Sequence, residues 1–216
     1  MQSIMDCDIG PGRPSVPWAA PPADIITPND LWSFLRHPLD LDWRAHGIGF
    51  IKAYLEPTKT WRLNLYHTTI RNPGISVLHD HPWPLTSYIM AGLLLNRRYD
   101  WAGPHTTGGV PMHEGTINCA QFNGLEGEPR DVRLVGLPVE VYYPGMTYSQ
   151  QPQEIHETAA HNGTATVIRM GERRADGIAK VFWPYGSKWG DASRGLTREE
   201  IKIVAEAAIR QLEELR

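Results

Sequence analysis

Two histidines that stand two residues apart are the side chains in this sequence best suited to metal chemistry. His79 and His81 lie in the stretch GISVLHDHPWPLTSYIMAG, residues 74–92, whose other members are mostly strand formers. Residues two apart in a β-strand point to the same face, so the two imidazoles would lie side by side. Gly74 and Gly92 bracket the stretch as turn positions. The spacing predicts a pair of metal ligands inside a β-barrel.

A third ligand is expected, because two histidines alone do not hold a catalytic metal well. His156 follows the turn at Pro144-Gly145 and precedes a run of strand formers, which predicts a strand position facing the first pair. His161 is an alternative ligand or a neighbour of the site. His67 would either line the barrel or form a hydrogen bond in the core.

The length and composition are typical of a soluble globular protein with one domain, or at most two small ones. The chain has 216 residues, 41% of them hydrophobic and 21% charged, and a formal net charge of −3, which gives no argument for nucleic acid or a membrane as a partner. No apolar run approaches the ~18 residues of a membrane span, and the N-terminus has no signal pattern. Two cysteines, Cys7 and Cys119, make a structural disulfide unexpected, so a cytoplasmic location is predicted.

The elements that must position the histidines are predominantly β. Between about residues 47 and 174, short runs of strand formers alternate with Gly, Pro and Asn, which favours a sandwich or a barrel. The Gly-rich stretch 100–116 predicts a long polar loop in which His105 and His113 are solvated. The expected fold class is therefore all-β, with a single β-barrel.

Two helices flank the strands in this prediction. Residues 27–38 predict a short helix with Leu31, Phe34 and Leu35 on its buried stripe. The last residues predict an amphipathic helix, in which Thr197 and Glu200 have the spacing of a capping box.

This pattern divides the chain into three predicted parts: a Pro-rich extended arm at 1–26, a β-barrel domain with an early helix at 27–195, and a C-terminal amphipathic helix at 196–216. A homodimer is one expected assembly, because a second copy would cover exposed sheet edges and the apolar face of the terminal helix.

These residues resemble the motifs of the cupin family. The first cupin motif has a Gly, H-x-H, a Glu and a second Gly, and the second has P-x-G, a His and an Asn. The matching residues here are Gly74, His79, His81, Gly92, Pro144-Gly145, His156 and Asn162. HDHPW, together with the later TATVIRM, is also similar to a group of bacterial and phage cupins. The resemblance covers about residues 60–190 and implies a jelly-roll-like cupin barrel with a divalent metal on His79, His81 and His156.

The Glu position of the first motif falls on Leu85 or Thr86, so the acidic ligand is missing. Three neutral histidines leave a divalent metal its full charge, which favours an anionic or chelating substrate. This ligand pattern resembles that of the thiol dioxygenases, although their Ser-x-His-x-Tyr element has no counterpart near 165–170. The expected function is that of a mononuclear non-haem Fe(II) dioxygenase or oxygenase acting on a small molecule. Zn, Ni and Mn are the other metals considered.

Two further residues are predicted to orient the substrate. The strand after the histidines is expected to form a hairpin with theirs, and its residue Tyr88 is then a candidate hydrogen-bond donor, although it would equally well pack in the core. Arg62 shares a face of its strand with Asn64 and Tyr66, and Arg169 is a second candidate for binding an anion through a bidentate fork.

Two alternative functions stay open at this stage. One is a metal-dependent isomerase or lyase acting on a sugar or keto acid, for which Glu154 and Glu157 are the available bases near the motifs. The other is a non-catalytic cupin that contains a metal and binds a small molecule.

Overall fold

The computed structural model describes residues 28–70, 78–103, 108–119, 125–185 and 193–215. Two α-helices, α1 (Pro28–Arg36) and α2 (Arg198–Glu213), and a 3-10 helix (Pro38–Asp40) flank the strands. The strands of the described residues are β1 (Arg44–Ala45), β2 (Ile51–Tyr54), β3 (Trp61–Leu65), β4 (Leu78–His79), β5 (Leu85–Ala91), β6 (Leu94–Trp101), β7 (Val110–Asn118), β8 (Leu125–Tyr142), β9 (Thr147–Gln150), β10 (Ile155–Ala160), β11 (Ala165–Met170), β12 (Ile178–Pro184) and β13 (Arg194–Gly195). The predicted arm at 1–26, Gly74 and His105 lie outside the described residues.

These strands form two antiparallel sheets. The first, called the open sheet below, has the order β13-β1-β2-β3-β11-β5-β9. The second has the order β10-β4-β12-β7-β8-β6, and β6 pairs with β10, so the hydrogen-bonded order returns to its start. We call it the closed sheet. The prediction of a predominantly β chain with two helices is confirmed, and its strands are divided between two sheets.

The segment between β4 and β5 carries the chain from one sheet to the other. β4 belongs to the closed sheet and β5 to the open sheet, so the two strands do not form the hairpin that the sequence suggested. Asp80 anchors the crossing to β12: its backbone N–H donates to the carbonyl of Lys180 at 3.0 Å, and its carboxylate accepts the N–H of Lys180 at 2.6 Å. Gly92, at the far end of β5, has a φ of +77°, which confirms the predicted turn there.

The two helices cover one face of the open sheet. Leu63 and Leu65 of β3 lie in the same apolar cluster as residues of both helices. In α1 the buried residues are Leu31, Trp32 and Leu35, whereas Phe34 is only half-buried. The buried residues of α2 are Val204, Ala205, Ala207, Ala208 and Leu212. The surface that the amphipathic α2 covers is therefore the sheet of its own chain.

The start of α2 is as the sequence predicts. The hydroxyl of Thr197 accepts the N–H of Glu200 at 3.2 Å, and the carboxylate of Glu200 accepts the N–H of Thr197 at 2.9 Å. This reciprocal pair is a capping box, which satisfies two backbone donors that the helix itself leaves unpaired.

The prediction of a long loop at 100–116 is wrong for most of its length. β6 extends to Trp101, β7 begins at Val110, and residues 104–107 lie outside the described residues. One of the glycines that suggested a loop, Gly115, is instead required by close packing on β7, because a Cβ there would lie 2.8 Å from the ring of Trp183. The pairing of β7 with β8 shifts register at this position, as at a β-bulge.

Within the part of the chain that the structure describes, no helix is long and apolar enough to cross a membrane.

Candidate metal centre

Three buried histidines meet where β4 and β10 pair. His79 of β4 lies opposite His156 of β10 in the strand register, and His81 follows two residues after His79. Each histidine offers one ring nitrogen, and these three nitrogens lie within 4.8 Å of one another. The ring centroids are 4.4 Å apart for His79 and His156, 4.6 Å for His79 and His81, and 5.1 Å for His81 and His156. The three histidines predicted from the sequence are thus brought together in a group that could hold a metal ion.

A backbone hydrogen bond fixes the orientation of His156. Its Nδ1 lies 3.1 Å from the carbonyl oxygen of Glu154. A carbonyl only accepts, so Nδ1 carries the proton and Nε2 keeps the lone pair that a metal needs. The carboxylate of Glu154 is itself held by Arg98 at 3.0 Å and by the N–H of Gln151 at 2.9 Å. The turn before β10 therefore presents His156 in one defined tautomer.

The electrostatics of the site favour the neutral form of His81 and His156. Burial lowers the pKa of His156 to about 4. Burial also lowers the pKa of His81 well below its usual value, and the neighbouring His79 and His156 add to this effect. Metal binding requires deprotonated ligands, so histidines that are already neutral at pH 7 bind a cation without first losing a proton. The donor set fits a divalent metal ion.

The histidines line a narrow cavity between the two sheets. His79, His156 and Thr158 come from the closed sheet, and the open sheet supplies most of the opposite wall. The lining contains no Asp or Glu among the described residues and consists of Ile48, Phe50, Arg62, Asn64, Tyr66, His79, His81, Leu85, Tyr148, Gln150, His156, Thr158 and Ile168. The sequence indicated that the site has no acidic ligand, and the described lining of the cavity offers none either.

Basic side chains stand beside the cavity. Arg62 is 4% exposed, and its guanidinium lies 5.1 Å from the centre of the Phe50 ring. Lys52 is paired in register with Asn64 and is 6% exposed; burial, followed by the charge of Arg62, lowers the pKa of Lys52 to about 7. His46 stacks on Phe50 at 4.7 Å, and burial lowers the pKa of His46 well below its usual value. Of these three groups, Arg62 is the one that stays fully charged at pH 7.

The two residues predicted to orient a substrate have different positions. Arg62 lines the cavity with Asn64 and Tyr66, so this face of β3 is the one that looks toward the histidines. Tyr88 packs instead on the helix side of the open sheet, with its ring 6.4 Å from that of Trp61. The structure brings Arg62, but not Tyr88, together with the three histidines.

The other candidate residues lie away from the cavity. His161 is exposed, and the ring of His67 accepts the N–H of Ile70 at 3.0 Å in a turn. Glu157 accepts a hydrogen bond from the hydroxyl of Tyr99 at 2.5 Å and is not among the residues that line the cavity. Arg169 lies over the ring of Trp61, at 5.8 Å from its centre. Arg169 is not among the residues that line this cavity, and its ion-binding role stays a prediction.

Sequence reasoning missed Lys52 and three further residues at or near the site. Tyr148 and Gln150 line the cavity from β9, and His46 lies close enough to Arg62 that the charge of Arg62 contributes to its lowered pKa. The alternation of Tyr148 and Gln150 in TYSQ was a usable signal, because residues two apart on a strand share a face. His46 carried no such signal, since it stands just outside β1 in an irregular segment.

Comparison with known proteins adds no family to this description. No protein-family model matches the chain, and no curated protein matches it in sequence.

Proposed function

We propose that the protein is a mononuclear metal-dependent enzyme with a cupin-type barrel, most simply a non-haem Fe(II) dioxygenase that acts on a small anionic or chelating molecule. The observation that carries this proposal is the group of three histidine nitrogens within 4.8 Å at a cavity with no carboxylate in its described lining. A divalent metal on these residues supplies Lewis acidity, and iron(II) in addition supplies reactivity toward dioxygen.

The roles of the surrounding residues follow from their chemistry. His79, His81 and His156 would hold the metal, with His156 fixed by its bond to the carbonyl of Glu154. Arg62 would bind the negative charge of the substrate, because a guanidinium presents several donors to an oxyanion. Phe50 lies against the guanidinium and limits its contact with water. The chain itself thus supplies ligands, an anion site and a largely dehydrated cavity.

A second function is favoured by one observation. Lys52 lies on the cavity-side face of the open sheet beside Asn64, and the pKa of Lys52 is lowered to about 7, by burial first. An amine that is partly neutral at pH 7 can remove a proton next to a carbonyl group. This supports a metal-dependent isomerase or lyase acting on a sugar or keto acid as the alternative.

Metal analysis of protein purified without chelator tests the site itself. We expect about one metal ion per chain in the unchanged protein and less than about a tenth of that in His79→Ala and His156→Ala, because two histidines hold a metal poorly. His161→Ala is the matched control, since His161 is exposed and away from the cavity. Metal content that is unchanged in His79→Ala and His156→Ala contradicts the proposal.

Oxygen uptake separates the two enzyme classes. With iron bound, oxygen consumption that begins on addition of a substrate supports the dioxygenase. Turnover without oxygen consumption, and its loss in Lys52→Met, supports the isomerase or lyase. The use of a metal-loaded His161→Ala control ensures that a loss of turnover reflects the site and not handling of the protein.

A further inference from the structure

The histidine rings of the candidate metal centre are not all held in the same way. Nδ1 of His156 lies 3.1 Å from the carbonyl oxygen of Glu154, and this hydrogen bond orients the ring. The ring of His81 makes no hydrogen bond to any residue that the structure describes. β4 ends at His79, so His81 also lies outside the strand pairing. The orientation of the His81 ring must therefore come from packing.

The indole of Trp83 provides that packing. The ring centroids of Trp83 and His81 are 5.4 Å apart, and the ring planes are inclined by only 25°, which is a stacked arrangement. The other rings beside His81 belong to the two remaining histidines, at 4.6 Å for His79 and 5.1 Å for His156. A large aromatic ring stacked on an imidazole limits the rotation of that imidazole about the bond to its Cβ.

Trp83 is itself held in place by residues 171–174. The residues on either side of Trp83 are both prolines, and their carbonyl oxygens accept the N–H groups of Arg174 and Gly171, each at 2.8 Å. The guanidinium of Arg173 lies 5.1 Å from the centre of the indole ring, within the range of a cation–π contact. The proline after the tryptophan also restricts its backbone. The indole is therefore fixed independently of the histidines.

Trp83 contributes through the faces of its ring and not through its N–H group. Nε1 of Trp83 is buried and has no hydrogen-bond partner among the residues described. An unpaired buried N–H costs free energy, so this group does not account for a tryptophan here. A phenylalanine ring would keep a stacking face without that cost, whereas leucine would keep only the apolar character. These two replacements separate stacking from simple burial.

We infer that Trp83 is a positioning residue of the metal centre, whose ring fixes His81 so that its ring nitrogen lies within 4.8 Å of those of His79 and His156. This inference rests on the proposed function, because it concerns the ligands of the same centre. Stacking gives His81 the fixed orientation that His156 receives from a backbone carbonyl. Removal of a group that orients a metal ligand typically weakens metal binding by about tenfold to a hundredfold.

Titration with Co(II) tests this role, because the visible absorption bands of bound Co(II) depend on the geometry of its ligands. Trp83→Leu should weaken Co(II) binding by at least about tenfold and change these bands, since the ring of His81 then rotates. Trp83→Phe should restore the bands and bind Co(II) within about threefold of the unchanged protein. Trp61→Leu is the matched control, because Trp61 also has an arginine over its ring but packs on the helix side of the open sheet. It should alter neither affinity nor bands.

Proton NMR of the unchanged, metal-free protein is a second test, which does not depend on whether Trp83→Leu folds. The ring protons of His81, assigned with His81→Gln, should be shifted upfield by the ring current of the stacked indole. Ring protons of His81 at ordinary positions would overturn the inference. Co(II) binding that is equally weak in Trp83→Phe and Trp83→Leu would do the same.

The same titration separates this inference from the proposed function. If the unchanged protein binds no Co(II), the proposed function is refuted and the positioning role with it. If the unchanged protein binds Co(II) and Trp83→Leu has the same affinity and the same bands, the metal centre stands and the positioning role alone is refuted.

Discussion

The two faces of the open sheet are both buried, yet they are built from different chemistry. On the helix-side face, Leu63 and Leu65 pack in an apolar cluster with α1 and α2. On the cavity-side face, the same strand presents Arg62 and Asn64, which are equally inaccessible to water. Burial therefore has two different consequences in this molecule. The helix-side face contributes stability, whereas the cavity-side face keeps unpaired polar atoms at a free-energy cost that a ligand can offset.

The largest expected effect on stability is on the helix-side face. Leu63 is 0% exposed, so Leu63→Ala removes apolar contacts and leaves a cavity, which should lower the free energy of unfolding by about 3 kcal/mol. Urea unfolding measures this loss. Leu39→Ala, at an exposed position, is the control and should stay within about 0.5 kcal/mol of the unchanged protein. Metal content per folded chain should be unaffected by Leu63→Ala; its loss would mean that the two faces are not separate.

Lys52 should produce an intermediate effect of the opposite sign. Burial and the charge of Arg62 lower the pKa of Lys52 from 10.5 to about 7, so between these values the unfolded chain binds a proton that the folded chain does not. The free energy of unfolding should therefore rise as the pH rises from 7 toward 10.5. Lys52→Met should remove this rise and stabilise the protein at pH 6 by on the order of 2 kcal/mol.

Unfolding in urea at pH 6, 8 and 9.5 measures this pH dependence. Lys202→Met is the control, because Lys202 is exposed on α2, and it should keep the slope of the unchanged protein. If Lys52→Met destabilises the protein at pH 6, the buried amine has a structural role that outweighs its desolvation.

Arg62 should produce the smallest change in stability. Replacing a buried cation that lacks an acidic partner with an apolar side chain of similar length is neutral or favourable, so Arg62→Met should raise the free energy of unfolding by about 1 kcal/mol in buffer without organic acids. Thermal unfolding detects such a gain, and Arg169→Met serves as the exposed control. A loss of stability in Arg62→Met would show that the two faces do not differ in the way described above.

The sequence was sufficient to predict features that depend on local patterns. The capping box of Thr197 and Glu200 is read from four consecutive residues. The period of a strand predicted that His79 and His81 lie close together, and their rings do, although β4 ends at His79 and His81 lies in the segment that crosses between the sheets. His156 was predicted from the turn before it and from the need for a third ligand. These predictions required no knowledge of how the two sheets pack.

Features that depend on the path between elements were not predictable in this way. The placement of Tyr88 rested on a hairpin between β4 and β5, but residues 80–84 carry the chain from the closed sheet to the open sheet. The path of this crossing determines which residues of β5 face the cavity. As a result, Leu85 lines the cavity and Tyr88 lies on the helix side of the sheet. The partners of Arg62 were also undetermined, since the sequence does not show that the described cavity lining lacks an acid.

Anomalous diffraction from crystals of protein purified without chelator tests the metal centre most directly. Data collected on both sides of the iron absorption edge should give one strong peak in contact with His79, His81 and His156, present above the edge and weak below it. A peak at these residues with the edge of another divalent metal would retain the three-histidine site and change the metal. Well-ordered crystals with no anomalous peak among the three histidines would contradict the account.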